Sequence, residues 1–143
     1  MEKKHWAKTV TMGDSSLKAD TDYEKQLDHH FGISGESCGS ENISMTFVRI
    51  KPGHRARAHY HINSELAQYF IKGTGRYIVG YGTEDQEDFP FGPGTFIYIP
   101  RGVIHVIENT GDVDIESIAA YSCNSGEATG KMFCEMPLAD AKE

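Results

Sequence analysis

Two histidines at alternate positions are the residues of this sequence best suited to chemistry. His59 and His61 lie in the segment Ala-His-Tyr-His, which has the texture of a β-strand. Because successive side chains of a strand point to opposite faces, both imidazoles project to one face, about 6.6 Å apart along the strand. Two such imidazoles can converge on one metal ion, although a pair of this kind more often makes hydrogen bonds within a polar cluster.

A carboxylate and a third imidazole extend this candidate metal site. Glu65 follows His61 by four positions, so an unbroken strand would keep its carboxylate on the same face as the imidazoles. His105 comes from a separate candidate strand, which the chain enters through a proline and a glycine. The predicted metal ligands are therefore His59, His61, Glu65 and His105.

Short apolar segments between glycine- and proline-containing turns must position these side chains. The candidate strands are rich in Ile, Val, Tyr and Phe and occupy residues 43–51, 58–63, 67–72, 76–82, 95–99, 105–109 and 115–123. Their spacing favours an antiparallel sandwich or barrel. We interpret the polar residues 1–42 as an arm that wraps this core and residues 124–143 as a C-terminal tail.

Composition narrows the class of protein. The 143 residues suit one domain, and their formal net charge of -7 would repel a phosphate backbone, so we expect no nucleic-acid partner. No apolar run is long enough to span a bilayer and no secretory signal is recognisable, so we expect a cytoplasmic protein without a membrane partner. We interpret the three cysteines, Cys38, Cys123 and Cys134, as reduced thiols, and the acidic residues 84–88 as a solvated hairpin tip.

Two motifs around the histidines resemble those of the cupin superfamily. The second motif is matched at all its defining positions, which are Gly94, Pro100, Gly102, His105 and Asn109. The first motif is matched at Gly53, His59, His61 and Glu65. It then departs from the family pattern, because one residue more than usual separates Glu65 from Gly73. Two motifs in the right order are far more specific than either one alone.

The resemblance implies an all-β fold, the cupin double-stranded β-helix, which is an antiparallel jelly-roll barrel. We expect a single domain over residues 1–143 with its barrel core at about 43–123. The extra residue leaves two alternatives for the carboxylate ligand. Either the strand bulges after Glu65, or Leu66 takes the usual glutamate position and three histidines remain, with the Gln68 amide oxygen able to complete the site. The Asn109 side chain is predicted to close the turn that leads to Gly111.

The predicted donor set suits one divalent transition metal, which could be iron, manganese, nickel or zinc. Arg57 shares strand parity with His59 and His61, so it is the candidate to bind an anionic group of a substrate. The alternative is that Arg57 and Arg55 are solubilising charges at the barrel rim. We interpret His29 and His30 as capping or surface residues.

The resemblance implies a metal-dependent enzyme that acts on a small polar metabolite as a dioxygenase, decarboxylase, isomerase or lyase. Among these we favour dioxygenation, because four protein ligands would leave two adjacent open positions on an octahedral ion. The alternative is a non-catalytic metal- or ligand-binding module or sensor. Many single-domain members dimerise, which covers an open sheet edge, so we also expect a homodimer.

Overall fold

A computed structural model describes residues 7–13, 27–124 and 131–133 of the chain. These ranges contain ten β-strands and one short α-helix, which are β1 (Asp28–Ile33), α1 (Gly35–Cys38), β2 (Ser44–Ile50), β3 (His59–His61), β4 (Leu66–Lys72), β5 (Gly75–Val79), β6 (Glu87–Phe91), β7 (Phe96–Ile99), β8 (His105–Asn109), β9 (Ile115–Tyr121) and β10 (Lys131–Phe133). No helix within them is long and apolar enough to cross a membrane. Most of the predicted C-terminal tail lies outside the described residues.

The strands form two five-stranded sheets. The first sheet has the order β1-β2-β9-β4-β7 and the second has the order β10-β3-β8-β5-β6. All strand pairs in both sheets are antiparallel. The predicted all-β antiparallel barrel is therefore confirmed.

Alternating side chains explain why the first sheet folds around a core. In β2, Ser44, Thr46, Val48 and Ile50 are buried while the residues between them are exposed or half-buried. β9 has the same alternation, with buried residues at every second position from Ile115 to Tyr121. This period of two is the pattern of strands that bury one face.

Aromatic stacking and one glycine join the two sheets near the start of β5. The Phe70 and Phe91 rings stack with centroids 3.7 Å apart. Gly75 lies beside them, where a Cβ atom would sit 2.5 Å from a Phe91 ring carbon and 2.9 Å from Ile115 Cδ1. Only a residue without a side chain fits this contact.

Three strands lie where the sequence analysis expected none, and one of them is β10 in the predicted C-terminal tail, which pairs with β3. Residues 28–33, interpreted as part of an arm, form β1, which pairs with β2 from Asp28↔Arg49 to Ile33↔Met45. The prediction failed there because only Phe31 and Ile33 of these six residues are large and apolar, and Gly32 between them is typical of a turn. Part of the acidic run also belongs to a strand, since Glu87 and Asp88 pair with β5 at the exposed edge of the second sheet.

Cys38 and Cys123 form no disulfide, in agreement with the prediction of reduced thiols for these two. Cys134 lies outside the described ranges.

Candidate metal centre

Two neighbouring strands of the second sheet bring three imidazoles together. β3 presents His59 and His61 on its buried face, and β8 begins at His105, which lies directly opposite His59 in the antiparallel register. All three side chains are buried, and their candidate ligand nitrogens lie within 4.8 Å of one another. This group could hold one metal ion.

Backbone carbonyls orient two of these imidazoles. His59 Nδ1 lies 2.6 Å from the carbonyl oxygen of Arg57, and His105 Nδ1 lies 2.9 Å from that of Val103. A carbonyl oxygen can only accept a hydrogen bond, so each Nδ1 carries the proton. Each Nε2 then keeps its lone pair, which is the arrangement of a metal-binding histidine whose other nitrogen donates to a backbone oxygen. The residues present therefore fit a divalent metal.

The cavity beside the imidazoles is small. Its walls include His59 and His105 from the second sheet and Gln68, Leu66 and His29 from the first. The volume of about 20 Å³ suffices for one ion or one water molecule. To admit a substrate of several heavy atoms, the cavity wall must therefore open, or one of the lining side chains must adopt a different rotamer.

Glu65 lies apart from the three imidazoles. Its carboxylate accepts a hydrogen bond from the Tyr98 hydroxyl at 2.6 Å, on the exposed side of the first sheet. This bond raises the pKa of Tyr98. Strand alternation does not apply to Glu65, because β3 ends at His61 and β4 begins only at Leu66. Because the strand is interrupted, the Glu65 carboxylate does not lie on the face that carries the histidines.

Gln68 is the polar residue that β4 turns towards the cavity. Its Oε1 accepts a hydrogen bond from the Tyr77 hydroxyl, and its Nε2 donates to Ser117 Oγ at 2.8 Å. Burial raises the pKa of Tyr77, so this hydroxyl stays protonated and remains a donor to Gln68. The amide orientation is thereby set, with Oε1 retaining a second lone pair.

The two arginines before β3 occupy different environments. The Arg57 side chain is exposed and does not line the cavity, since Arg57 precedes the first residue of β3 and strand parity does not apply to it. Arg55 is buried, with its guanidinium 3.9 Å from Glu108. Arg55 is therefore not a solubilising rim charge, and the contribution of Arg57 at this site is its backbone carbonyl.

His29 is a cavity residue that the sequence analysis misassigned. Its side chain is only 3% exposed and lines the cavity that also contains His59 and His105. The interpretation of His29 as a capping or surface residue is wrong, because β1 was not recognised as a strand. Its neighbour His30 is only half-buried, and its Nε2 lies 3.4 Å from Asp28 Oδ1. The signal that could have found His29 is its even spacing from Leu27, which lines the same cavity.

Asn109 closes the turn after β8, as predicted. Its Oδ1 accepts a hydrogen bond from the Gly111 amide at 2.9 Å. Its Nδ2 donates to the carbonyl oxygens of Ile50 and Val113. The side chain thus ties β8 of the second sheet to β2 of the first.

The chain belongs to the cupin family. The family model for the cupin domain matches residues 46–121, which is more than half of the 143 residues and includes the strands that carry all three imidazoles. The superfamily resemblance stated from the two motifs is therefore confirmed.

Characterised relatives include two kinds of enzyme. Oxalate decarboxylase of Bacillus subtilis is 32% identical over 73 residues, which cover 51% of this chain and 19% of that protein. Glucose-6-phosphate isomerase of Thermococcus kodakarensis is 31% identical over 78 residues, which cover 53% of this chain and 41% of that protein. The matched part of this chain thus spans less than half the length of either relative.

Solved structures share the fold. The oxalate decarboxylase of Bacillus subtilis, described for its Mn(II) centres, superimposes with a TM-score of 0.68 at 20% identity, covering 82% of this chain and 32% of that one. A formate complex of the Lactobacillus farciminis oxalate decarboxylase gives a TM-score of 0.68 at 23% identity, covering 82% of this chain and 34% of that one. At these identities the likeness shows the fold alone.

Proposed function

We propose that this cupin binds one divalent transition metal through His59, His61 and His105 and acts on a small carboxylate-bearing metabolite as a decarboxylase or isomerase. The observation that carries the proposal is the convergence of the three buried imidazoles within 4.8 Å. Iron, manganese, nickel and zinc all accept imidazole ligands. The metal, once bound, supplies a Lewis acid that polarises a substrate oxygen.

The protein's own residues supply orientation and exclusion of water. The carbonyl oxygens of Arg57 and Val103 hold two imidazoles in the tautomer that presents Nε2. Gln68, held by Tyr77 and Ser117, is our candidate for a fourth, oxygen ligand in place of Glu65. Apolar side chains, among them Leu66 and Ile107, form part of the cavity wall, which lowers the local dielectric and strengthens electrostatic interactions at the site.

Metal content tests the ligand assignment. We expect protein purified without added metal to hold up to one equivalent by elemental analysis, and His59→Ala and His105→Ala to lose most of it. His54→Ala is the matched control, since His54 is exposed and lies outside the group. Equal metal content in His54→Ala and His59→Ala would contradict the ligand assignment.

The reaction type is tested by product analysis with and without oxygen. The matched relatives are named as a decarboxylase and an isomerase, so we place these reactions first for this chain. Turnover of a carboxylate substrate under anaerobic conditions, with release of carbon dioxide or an isomer, supports them. Dioxygenation, which the sequence analysis favoured, instead requires oxygen consumption by the iron-loaded protein and no turnover without oxygen.

A second candidate is a non-catalytic binding module, and the small cavity favours it. About 20 Å³ accommodates an ion but no metabolite in the observed conformation. This candidate predicts that a small ligand raises the melting temperature of the metal-loaded protein without forming product. Product formation by the wild type that disappears in a folded His105→Ala variant would contradict the binding module and support the enzyme.

We also infer that the chain forms a homodimer through the outer face of β4 and β7. Phe96 and Tyr98 on the edge strand β7 are 77% and 58% exposed, and Tyr69 and Ile71 on β4 lie next to them. The Tyr69 and Phe96 rings contact each other with centroids 4.5 Å apart. An exposed apolar edge strand promotes uncontrolled pairing unless another chain covers it, and a second copy supplies a self-complementary surface.

A further inference from the structure

A second cavity, which we call the β5–β6 groove, lies where β5 ends and β6 begins and has a volume of about 360 Å³. Its apolar lining comes from Val79 and Phe89 on these strands and from Val103 and Ile104 in the segment before β8. None of the three candidate metal ligands lines it. Its volume is typical of pockets that hold small organic molecules, so it offers room that the cavity beside the imidazoles lacks.

The strand register places a carboxylate beside this apolar lining. Glu87 lies directly opposite Val79, and Phe89 lies opposite Tyr77. Opposite residues of an antiparallel pair, and residues two apart on one strand, share a face of the sheet. The Glu87 side chain therefore projects on the same face as Val79 and Phe89, and Glu87 is itself a lining residue of the groove.

The turn between β5 and β6 brings a second acidic residue, Asp85, to the groove. The Thr83 amide and hydroxyl both donate to the Gly80 carbonyl oxygen, at 3.0 and 2.6 Å. The Gly82 amide donates to Gln86 Oε1 at 3.1 Å. These hydrogen bonds hold the turn in place, so that less conformational freedom is lost when a ligand binds against it.

The charges at the groove are all negative. No lysine or arginine is among its lining residues, and neither Asp85 nor Glu87 forms an ion pair within the ranges that the structure describes. A cation would therefore be attracted to the groove and an anion repelled. The Phe89 ring, which is 41% exposed, adds an aromatic surface that favours a cation further.

We propose that the β5–β6 groove is a binding site for a small organic amine with an apolar body. The ammonium group pairs with Glu87 and Asp85, and the apolar body packs against Val79, Phe89 and Val103. The groove is complementary to such a ligand in both charge and apolar character. This binding site requires neither the metal nor the reaction proposed above, so it goes beyond that function.

An NMR titration of phenethylamine into the isotope-labelled full chain tests the site, because amide shifts locate the ligand and also give its Kd. We expect a Kd of about 1 mM or below, which is typical of a ligand of this size, and amide shifts centred on residues 79–89 and 102–104. Phenethyl alcohol has nearly the same shape without the charge, so its Kd should be at least about threefold higher. Phenylacetate carries the opposite charge and should not bind measurably.

Variants of the lining residues test the assignment of the carboxylates. We expect the double variant Asp85→Asn, Glu87→Gln to raise the Kd for phenethylamine at least about fivefold, since both charges are lost. Phe89→Ala should raise it at least about threefold, since the aromatic surface is lost. Glu84→Gln is the matched control, because it removes a charge from the same turn at a residue that does not line the groove. It should change the Kd less than Glu87→Gln does.

Three outcomes would overturn the proposed amine site. The first is the absence of amide shifts at millimolar phenethylamine, or shifts confined to residues outside the groove. The second is an equal Kd for phenethylamine and phenethyl alcohol, and the third is an equal Kd for the wild type and the double variant. Asp85, Glu87 and Phe89 are exposed, and melting temperatures show whether each variant is folded. Metal content, measured on the same samples, reports on the proposed function separately.

Discussion

Two backbone carbonyl groups set the tautomers of two of the candidate metal-binding histidines. The oxygens of Arg57 and Val103 accept hydrogen bonds from the Nδ1 atoms of His59 and His105. Each of these carbonyls belongs to the residue two positions before its histidine, so the local backbone sets the tautomer. A substitution of Arg57 that preserves the backbone should therefore leave the metal site intact.

The carboxylate missing from the imidazole group leads to a prediction at Gln68. We expect Gln68→Glu to tighten manganese binding by about tenfold, because a carboxylate is a better ligand for manganese than a neutral amide. The Tyr77 and Ser117 hydroxyls can both donate to the new carboxylate, so its oxygens remain hydrogen-bonded. The Kd for manganese, measured by competition with a chelator, is the readout.

Gln86→Glu is the matched control for this substitution. The Gln86 Oε1 accepts a hydrogen bond from the Gly82 amide in an exposed turn, and a glutamate oxygen can do the same. The control adds the same charge far from the imidazoles. A weaker or unchanged manganese affinity in Gln68→Glu would show that residue 68 does not reach the metal.

At the scale of elements, short strands and tight junctions place the site. β3 has only three residues, and its position depends on pairing with β10 and β8 and on the hydrogen bond from the Gly102 amide to the His61 carbonyl at 2.8 Å. β8 in turn pairs with β5 over five residues, from Gly75↔Asn109 to Val79↔His105. The imidazoles are thus positioned through the pairing of β3 with its neighbours and of β8 with β5.

The start of β5 is accordingly sensitive to any added side chain. We expect Gly75→Ala to lower the free energy of unfolding by about 2 to 4 kcal/mol, because its Cβ would overlap Phe91 and the Glu108 carbonyl in a packed core. Urea denaturation measures the loss. Gly92→Ala is the control, since the nearest atom to its Cβ is Thr74 Cγ2 at 3.8 Å. Similar losses in both variants would contradict the steric explanation.

At the scale of the whole molecule, both sheets carry charged pairs, which are Arg76 with Glu108 and Asp88 on the second sheet and Arg49 with Asp28 and Glu116 on the first. At its β4–β7 end the first sheet exposes Phe96, Tyr98 and Ile71. This apolar end of the first sheet is the surface that we expect a second copy to cover, since contiguous apolar surface marks interaction sites.

We expect Phe96→Lys to convert the proposed homodimer to a monomer without loss of metal. A buried, unpaired lysine at the centre of a self-complementary interface appears on both subunits, so the two charges oppose association. Size-exclusion chromatography with light scattering gives the mass. Val113→Lys, at another exposed apolar position, should remain dimeric. A wild-type protein that is monomeric at micromolar concentration would refute the homodimer.

The sequence alone determined the fold and most of the site. Segments rich in Ile, Val, Tyr and Phe between glycine- and proline-containing turns predicted the barrel strands, among them β2, β4 and β9. The spacing of His59 and His61 on one strand, and the motif around His105, predicted the three imidazoles that the structure brings together.

The tertiary structure determined the positions of Glu65 and His29, which the local spacing of residues along the chain does not specify. Glu65 turned to Tyr98 because β3 ends before it, and a strand's end depends on its neighbours. His29 entered the cavity because β1 pairs with β2, which is a contact between residues distant in the sequence. Parity assigns a side chain to a face only while a strand continues, and long-range pairing determines where each strand starts and stops.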